Sequence, residues 1–371
     1  MAIKTTKLER FAKPKNSKVG RVLVVGPGQR GRGGIAAVIR MHQSTPTWLK
    51  RKTRLLPTFD DRSALHKIRS ALIAYLRAPF LLAQADLLHV HLAAQTSVLR
   101  KLPILVMAKL MNKPFIVHVH APSIESLFTN TPTWAMRFVF RSATRVIALS
   151  QRWADAFESY EPLTRTVVLA NPVQISAPNQ LDPTAPPVIL FVGKLESRKG
   201  YADLLAAAAE ILPRFPQAQF WFAGHGELDA AQRIAEQLGI ARSVRFLGWV
   251  DGKDLDAVYR QATLVTLPSY AEGVPMAIIE AMGRSIPVVC TPVGGLPELI
   301  HDEESGLFVQ PGDISGLAHQ IGRLLHEPQF ATTIGAAGRL AVQQQCSIEE
   351  VSRALDAIYT EVLHEGGPRR G

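Results

Sequence analysis

Short apolar runs of strand length alternate with helix-length segments along the whole chain, and this alternation limits the fold more than any other feature. In the first half the runs are Val22–Val25, Leu87–Leu92, Phe115–Val119, Val146–Leu149 and Val167–Leu169. In the second half they are Val188–Gly193, Phe220–Ala223, Val244–Leu247, Leu264–Leu267, Pro287–Cys290 and Gly306–Val309. Apolar strands separated by helices are typical of parallel sheets covered by helices, so the pattern predicts an α/β fold.

The two series are separated by residues 171–187, which hold five prolines and no hydrophobic periodicity. A chain of 371 residues is also long for one hydrophobic core. We therefore predict two Rossmann-like domains. The expected bounds are an N-terminal domain over 1–172, a linker over 173–187, a C-terminal domain over 188–348, and a C-terminal helix and tail over 349–371.

Charge is divided unequally between the two halves. Residues 1–180 hold 27 Lys and Arg against 8 Asp and Glu, a net charge of +19, whereas residues 181–371 hold 15 against 23, a net charge of −8. A basic half favours an anionic partner such as anionic lipid, a polyphosphate or nucleic acid. Aromatic residues are only 7% of the chain, and no zinc finger or RNA-binding signature is present, so we predict no nucleic-acid partner.

Cysteine usage and hydropathy predict the compartment. Cys290 and Cys346 are the two cysteines, and they form no CxxC pair, which favours a reducing compartment and no structural zinc. No apolar run approaches the roughly 20 residues of a membrane span. The basic N-terminal segment is not followed by the apolar region of a secretory signal. We therefore expect a cytoplasmic protein.

Two basic segments of the first half carry apolar residues at helical spacing. The segment 63–82 places Leu65, Ile68, Leu72, Ile73 and Leu76 among Arg62, Lys67, Arg69 and Arg77. The segment 97–113 repeats the pattern with Arg100, Lys101, Lys109 and Lys113. We interpret both apolar stripes as faces packed on the core. A helix lying against anionic head groups is the alternative.

A glycine-rich motif, Gly26-x-Gly28-x-x-Gly31, stands between the first strand and a helix predicted over Ile35–His42. This spacing is typical of dinucleotide-binding loops. However, no Asp or Glu lies between Glu9 and Asp60 to bind a ribose. Arg30 or Arg32 could contact a 2′-phosphate instead, so an NADP-dependent oxidoreductase remains an alternative. The other interpretations are a tight turn or a loop that admits a phosphate to the helix start.

Two carboxylates, Glu272 and Glu280, lie eight positions apart around a transition from loop to helix, and Pro275 can begin that helix. The backbone N–H groups between them form a potential anion site. The segment thus offers a carboxylate for sugar hydroxyls, donors for a diphosphate and a second carboxylate for a ribose diol. These are the three parts of a sugar nucleotide. Glu280 stands in an apolar stretch, where an acid requires a partner.

A basic loop, Gly193 to Gly200, follows the first strand of the second half and precedes a helix predicted over Tyr201–Leu212. Lys194 and Lys199 can neutralise a diphosphate there, because α/β proteins bind ligands at the carboxyl ends of their strands. A solvated charged loop is the alternative interpretation.

Two histidine pairs, His89-x-His91 and His118-x-His120, stand at the ends of predicted strands. Alternate residues of a strand share a face, so one pair could line a cleft. Such pairs also occur as metal ligands, but no carboxylate cluster accompanies either pair. We therefore predict no metal.

These motifs together resemble the GT4 family of retaining glycosyltransferases, which have the GT-B fold. The matching segments are Gly33-Gly34, Gly193–Gly200, Ala223–Glu227, Leu267–Ser269 before Glu272 and Glu280, Val293–Glu298, Gly306–Val309 and Pro311–Asp313. The ordered match covers the second half and is looser over the first. The resemblance implies two Rossmann-like domains facing across a cleft, with the acceptor bound by the N-terminal domain and the nucleotide sugar by the C-terminal one. It implies no cofactor.

The resemblance also assigns roles to single residues. Glu280 would bind the ribose hydroxyls, Glu272 the donor hexose and Lys199 the diphosphate. Backbone donors for the nucleotide sugar would come from Gly273 and Val274, with Gly33 and Gly34 also in the donor site. The residues expected to act in catalysis are Glu272, Lys199 and His120. The family usually has arginine where this chain has Lys194, and lysine keeps the charge without the bidentate geometry.

These expectations define a retaining hexosyltransferase. It would transfer a hexose from UDP- or GDP-sugar to a lipid-linked or polysaccharide acceptor in exopolysaccharide, lipopolysaccharide or glycolipid biosynthesis. We expect it at the inner face of the cytoplasmic membrane, as a peripheral protein whose basic half meets the anionic surface. A non-catalytic module that binds anionic lipid is the alternative of a different class.

Overall fold

The structure is a computed structural model that describes residues 19–29, 31–59, 64–182 and 184–365, with the backbone alone for residues 64–67. Arg30, Arg62 and the Lys67 side chain, for which a role was considered above, lie outside the described residues, as do the basic segment 1–18 and the tail 366–371. The chain forms two units. The first combines Met1–Pro172 with Ile348–Gly371, and the second is Val173–Ser347.

The first unit is built on a parallel sheet of six strands, whose order is β2-β1-β3-β4-β5-β6. The strands are β1 (Val22–Pro27), β2 (Arg54–Phe59), β3 (Leu87–Leu92), β4 (Phe115–Val119), β5 (Arg145–Ala148) and β6 (Thr166–Val168). The alternation of apolar runs predicts five of these. It misses β2, whose Pro57 and exposed Arg54 break the apolar pattern. Both are acceptable because β2 lies at the edge of the sheet.

Eight helices of the described residues cover this sheet. They are α1 (Gly34–Gln43), α2 (Pro46–Lys50), α3 (Ala64–Gln84), α4 (Gln95–Leu110), α5 (Ile124–Asn130), α6 (Thr133–Ser142), α7 (Gln151–Tyr160) and α15 (Ile348–Glu365). The last of these returns from the C-terminal end of the chain. Leu355 and Ile358 of α15 pack with Val24 and Ile116 of the sheet. The predicted bounds set this helix apart from both domains, whereas it completes the core of the first unit.

The apolar stripe predicted to pack in the core differs between α3 and α4. In α4 the core-packing interpretation holds, because Ile104 and Leu105 are fully buried. In α3 it is wrong for the large side chains: Leu72 and Leu76 are exposed, whereas the helix packs on the core through small residues such as Ala74. A helix that is apolar on several sides does not reveal from its sequence which side has a neighbour.

The second unit has its own parallel sheet of six strands, in the order β12-β11-β10-β7-β8-β9. The strands are β7 (Val188–Val192), β8 (Gln219–Ala223), β9 (Val244–Gly248), β10 (Leu264–Leu267), β11 (Val288–Cys290) and β12 (Leu307–Phe308). The helices are α8 (Tyr201–Ile211), α9 (Leu228–Gln237), α10 (Gly252–Gln261), α11 (Met276–Met282), α12 (Leu296–Leu299), α13 (Ile314–His326) and α14 (Pro328–Cys346). The two sheets confirm the predicted α/β class. The second sheet has the Rossmann strand order, and the first has the other common doubly wound order, with β1 between β2 and β3.

The segment predicted as a linker is part of the second unit. The backbone N–H of Val173 donates to the carbonyl of Cys346 at 2.7 Å, and that of Asn179 donates to the carbonyl of Arg284 at 2.7 Å. Prolines remove the hydrogen-bond donors of a regular element, and these two backbone N–H groups of the segment bond to the end of α14 and to the segment just after α11 instead.

Candidate active site

The strand order of the second unit reverses between β7 and β10, and the predicted donor residues follow these two strands. Lys199 ends a single 3-10 turn, Ser197–Lys199, after β7. Gly200 adopts φ 69°, and a Cβ there would lie 2.1 Å from the carbonyl oxygen of Pro268. The backbone N–H of Tyr270 donates to the carbonyl of Arg198 at 2.8 Å. The two loops are therefore fastened together at the point where open α/β sheets bind ligands.

A continuous chain of charged groups crosses this point. Lys199 Nζ lies 2.5 Å and Arg198 Nη1 3.0 Å from Glu272 Oε1. The other arm of Arg198 lies 2.5 Å from Glu196 Oε1, and Lys194 Nζ is 2.9 Å from Glu196 Oε2. Burial raises the pKa of Glu196, but hydrogen bonds from Lys194 and Arg198 outweigh it and the pKa is lowered. Three cations therefore oppose two carboxylates, which leaves a net positive charge for an anion.

Glu272 is the most buried of these five charged side chains, with 8% of its surface exposed. Ser269 Oγ also donates to its Oε1, at 3.3 Å. Arg198 and Ser269 are contacts that the sequence reasoning did not assign. The signal for Arg198 was its position beside Lys199 in the basic loop, but only the folded loops show that it reaches Glu272.

The loop after β11 fixes the peptide groups next to Glu272. Gly294 adopts φ 60°, and a Cβ there would lie 2.0 Å from the carbonyl oxygen of Glu272 and 2.1 Å from that of Gly273. The N–H of Gly295 donates to the carbonyl of Gly273 at 2.8 Å. Because the peptide is trans, this bond orients the N–H of Val274 in the opposite direction. The peptide group that carries the predicted Val274 donor is thus held by the loop after β11.

Glu280 lies within α11 and is partnered, as an acid in an apolar stretch requires. Tyr259 OH donates to Glu280 Oε2 at 3.0 Å, and the Arg284 guanidinium lies 4.7 Å from the centre of the Tyr259 ring. Burial, with the Glu280 charge beside it, raises the pKa of Tyr259 well above its usual value. Tyr259 therefore keeps its proton and orients the carboxylate.

The predicted catalytic His120 belongs to the first unit, where four histidines share one face of the sheet. β3 and β4 pair with His91 opposite His118, so His89 and His120 fall on the same face. The ring centres of His118 and His120 are 4.0 Å apart. His91 Nδ1 lies 2.9 Å from His120 Nε2, and Lys101 Nζ donates to the His91 carbonyl at 2.5 Å. His120 is thus positioned by the ring of His91, and the backbone of His91 is held by Lys101 of α4.

These histidines are neutral near pH 7. Burial lowers the pKa of His42 to about 4. Burial, with neighbouring histidines as the smaller cause, holds the pKa values of His89, His91 and His118 well below the usual range. The pKa of His120 is lowered in the same way. At neutral pH, His120 can therefore donate one hydrogen bond and accept another, but it does not carry a charge.

Three of the rings come close enough to suggest a metal site. Ligand atoms of His89, His91 and His118 lie within 4.8 Å of one another. Neutral imidazole is a common metal ligand, so the spacing of the three rings suits an ion, but no carboxylate of the described residues joins this group. The absence of a metal stays a prediction from the sequence.

The glycine motif of the first unit forms a compact turn. The N–H of Gly28 donates to the carbonyl of Phe59 in β2 at 3.0 Å, and that of Gly31 donates to the Gly28 carbonyl at 2.8 Å. Gly33 adopts φ 95° with open space around it, and Gly34 begins α1. These two predicted donor residues thus belong to the first unit, whereas Lys194, Lys199, Glu272 and Glu280 belong to the second.

Comparison with known proteins first defines the class. The structure matches the sucrose-phosphate synthase of Thermosynechococcus elongatus with a TM-score of 0.74 and 19% identity, covering 93% of this chain and 100% of that one. It matches the Anabaena protein HepE, in its complex with UDP-glucose, with a TM-score of 0.72 and 20% identity over 92% of this chain and 100% of that one. The fold is GT-B, as in these proteins.

Family models then identify the family. The model of glycosyltransferase family 4 matches residues 20–177, and the model of glycosyl transferases group 1 matches residues 174–341. The chain belongs to the group 1 glycosyltransferases of family 4, and this assignment excludes the oxidoreductase alternative. A D-inositol 3-phosphate glycosyltransferase of Corynebacterium jeikeium is 40% identical over 189 residues, which are 48% of this chain and 44% of that protein. The match therefore spans less than half the length of that relative.

Proposed function

We propose that the chain is a retaining hexosyltransferase that uses a nucleoside diphosphate sugar. The observation that carries the proposal is the row of ion-paired side chains that runs from Lys194 through Lys199 to Glu272. It lies where the strand order of the second unit reverses, and it has an excess of one positive charge. A diphosphate is the anion that such a site fits, and the HepE structure that shares the fold holds UDP-glucose.

In the proposed reaction, the bond between the anomeric carbon of the hexose and the diphosphate oxygen breaks. Lys199 and Arg198 stabilise the charge that develops on the leaving diphosphate. The acceptor hydroxyl bonds to the anomeric carbon on the same face, and its proton passes to the leaving phosphate oxygen. Glu272 holds hydroxyls of the hexose, and Glu280 holds the ribose diol. Configuration is retained because bond breaking and bond making share a face.

His120 contributes as a neutral group in this proposal. Its lowered pKa suits a hydrogen bond to a sugar hydroxyl rather than an ion pair with the diphosphate. The hydrogen bond with His91 Nδ1 fixes the ring, because one of the two nitrogens must be the donor and the other the acceptor.

We further propose a lipid-linked or polysaccharide acceptor, used in exopolysaccharide, lipopolysaccharide or glycolipid assembly at the inner face of the cytoplasmic membrane. The net charge of +19 over residues 1–180 supports an anionic surface as the partner. Among the described residues, no helix has both the length and the hydrophobicity to cross a bilayer.

The test measures nucleotide binding and donor cleavage separately. Calorimetry with UDP and GDP should show binding of one of them, and the matching sugar nucleotides should then be hydrolysed slowly or transferred to acceptors. Lys199→Ala should lower cleavage more than about tenfold, because a single transition-state donor contributes that much or more. Lys253→Ala, at an exposed position of α10, is the control and should change nothing. Failure of both nucleotides to bind would refute the proposal.

A further inference from the structure

The outer sides of α3, α4 and α6 carry most of the large apolar side chains that the described part of the first unit exposes. Leu76 and Phe80 of α3 expose 74% and 72% of their surface, and Leu110 at the end of α4 exposes 79%. The others are Ile68, Leu72, Ile73, Leu99, Val106 and Trp134. We name these nine residues the apolar face. Exposed clusters of large apolar groups mark surfaces that bind another molecule.

Over Ile68–Phe80, the helix α3 is inverted relative to an ordinary surface helix, whereas Leu82 near its end is buried in the core. Its large residues recur at every fourth position from Ile68 to Phe80 and lie along the exposed side, whereas Ala74 and Ala78 are fully buried. An ordinary amphipathic helix buries its large apolar residues. The inversion therefore points to an apolar medium outside the helix.

The three helices form one surface. α4 packs against both α3 and α6. Tyr75 OH of α3 donates to the carbonyl of Arg100 in α4 at 2.7 Å. Consequently Leu76 and Leu110 lie on helices that pack against each other.

The charge of this surface identifies its partner. Between Arg62 and Ile124, Asp86 is the single acidic residue, and neither α3 nor α4 contains any. Arg69, Arg77 and Lys109 are exposed beside the apolar face. Apolar groups bordered by cations, without acids among them, match the boundary between acyl chains and anionic head groups.

We propose that the apolar face of α3, α4 and α6 docks on an anionic lipid bilayer. The apolar side chains enter the boundary of the acyl region, Trp134 lies at the interface, and Arg69 and Arg77 contact lipid phosphates. This deepens the proposed function and rests on it for its biological purpose, since a lipid-linked acceptor is presented at the same surface. The inner side of α4 joins the docked face to the histidine site, through the bond from Lys101 to the His91 carbonyl.

A fluorescent label tests the docking in the full chain. Both native cysteines, Cys290 and Cys346, are buried, so an environment-sensitive dye directed to Leu76→Cys labels that position. Addition of phosphatidylglycerol-containing vesicles should shift the emission to the blue and increase it several-fold. The same dye at Leu340→Cys, an exposed position of α14 in the second unit, is the matched control and should not respond.

Variants separate the apolar and the charged contributions. Sedimentation with the same vesicles should show that Leu76→Ser with Phe80→Ser weakens binding about tenfold or more at any salt concentration. Arg69→Gln with Arg77→Gln should weaken it about tenfold at low salt and less at high salt, because salt screens charge alone. Leu340→Ser should bind as the parent does.

Two outcomes would overturn the docking. One is the absence of vesicle binding at low salt. The other is a label at position 76 that is already blue-shifted without vesicles and responds to protein concentration, which would assign the face to a second copy of this chain. Nucleotide binding is measured without vesicles. If the parent protein binds no nucleotide, the proposed function is refuted and the vesicle result still stands, so the two failures are distinguishable.

Discussion

The two candidate acids of the second unit, Glu272 and Glu280, each have defined partners. Glu272 is held by Lys199, Arg198 and Ser269, and Glu280 is held by Tyr259. The two carboxylates therefore differ in how a ligand would interact with their surroundings. Near Glu272 a diphosphate competes for cations that are already paired, whereas at Glu280 a ribose diol adds hydrogen bonds to a carboxylate that Tyr259 has oriented.

A prediction at this scale concerns Glu280. Glu280→Gln keeps the shape of the side chain but replaces a charged acceptor, so nucleotide binding should weaken by about 1.5–3 kcal/mol. Tyr259→Phe removes the orienting bond and should weaken it less. Calorimetry with the free nucleoside diphosphate measures both, and thermal unfolding checks the fold. If Glu280→Gln binds the nucleotide as tightly as the parent, Glu280 lies outside the site.

The elements of the second unit place these residues through two glycines at close approaches. Gly200 lets the turn after β7 pack on the end of β10, and Gly294 lets the loop after β11 pack on the peptide of Glu272. Each has a positive φ, which glycine adopts without the penalty of a Cβ. The site is therefore built by three loops packed against each other at the ends of β7, β10 and β11.

A matched pair of glycines tests this packing. Gly200 and Gly239 share a φ of 69°, but a Cβ meets the Pro268 oxygen at the first position and open space at the second. Gly239→Ala should therefore cost only the backbone strain, about 1–2 kcal/mol. Gly200→Ala should cost more than that in urea unfolding, and it should weaken nucleotide binding. Equal costs for the two variants would show that the turn does not depend on this contact.

The whole molecule combines two units with different responses to acid. The first unit buries His42, His89, His91 and His118, whose pKa values are lowered. The unfolded chain binds these protons at an ordinary pKa near 6.5, so stability is complete above that pH and falls as the pH drops towards the folded values. Lys101, whose pKa burial lowers to about 7, is charged in the unfolded chain but partly neutral in the folded one near pH 7, so it adds a slope of the same sign above about pH 6.5 and little below it.

Acid should therefore unfold the first unit before the second. Each buried histidine removes about 1.4 kcal/mol for each pH unit below 6.5. Differential scanning calorimetry between pH 7.5 and pH 5 should show one transition falling steeply. His118→Phe should reduce that slope, since neither ring nitrogen of His118 has a hydrogen-bond partner among the described residues. A parent protein whose two units respond equally would contradict this account.

The sequence by itself determined the α/β class, most of the strands and the family, because continuous apolar strands, glycine turns and charged loops are local patterns. It also placed Lys199, Glu272 and Glu280 as candidates, since each belongs to a short motif. Their roles remain proposals that the variants above examine.

Only the tertiary structure decided which of these segments, distant in sequence, contact each other. It placed Arg198 on Glu272, because that contact depends on the packing of two loops and joins residues 74 positions apart. The register of β3 against β4 stacked four histidines on one face, and α15 joined the first unit through a core that no local pattern reveals. It also left the large residues of α3 exposed. Helical periodicity fixes which residues share a side, but only the neighbouring elements determine which side is covered.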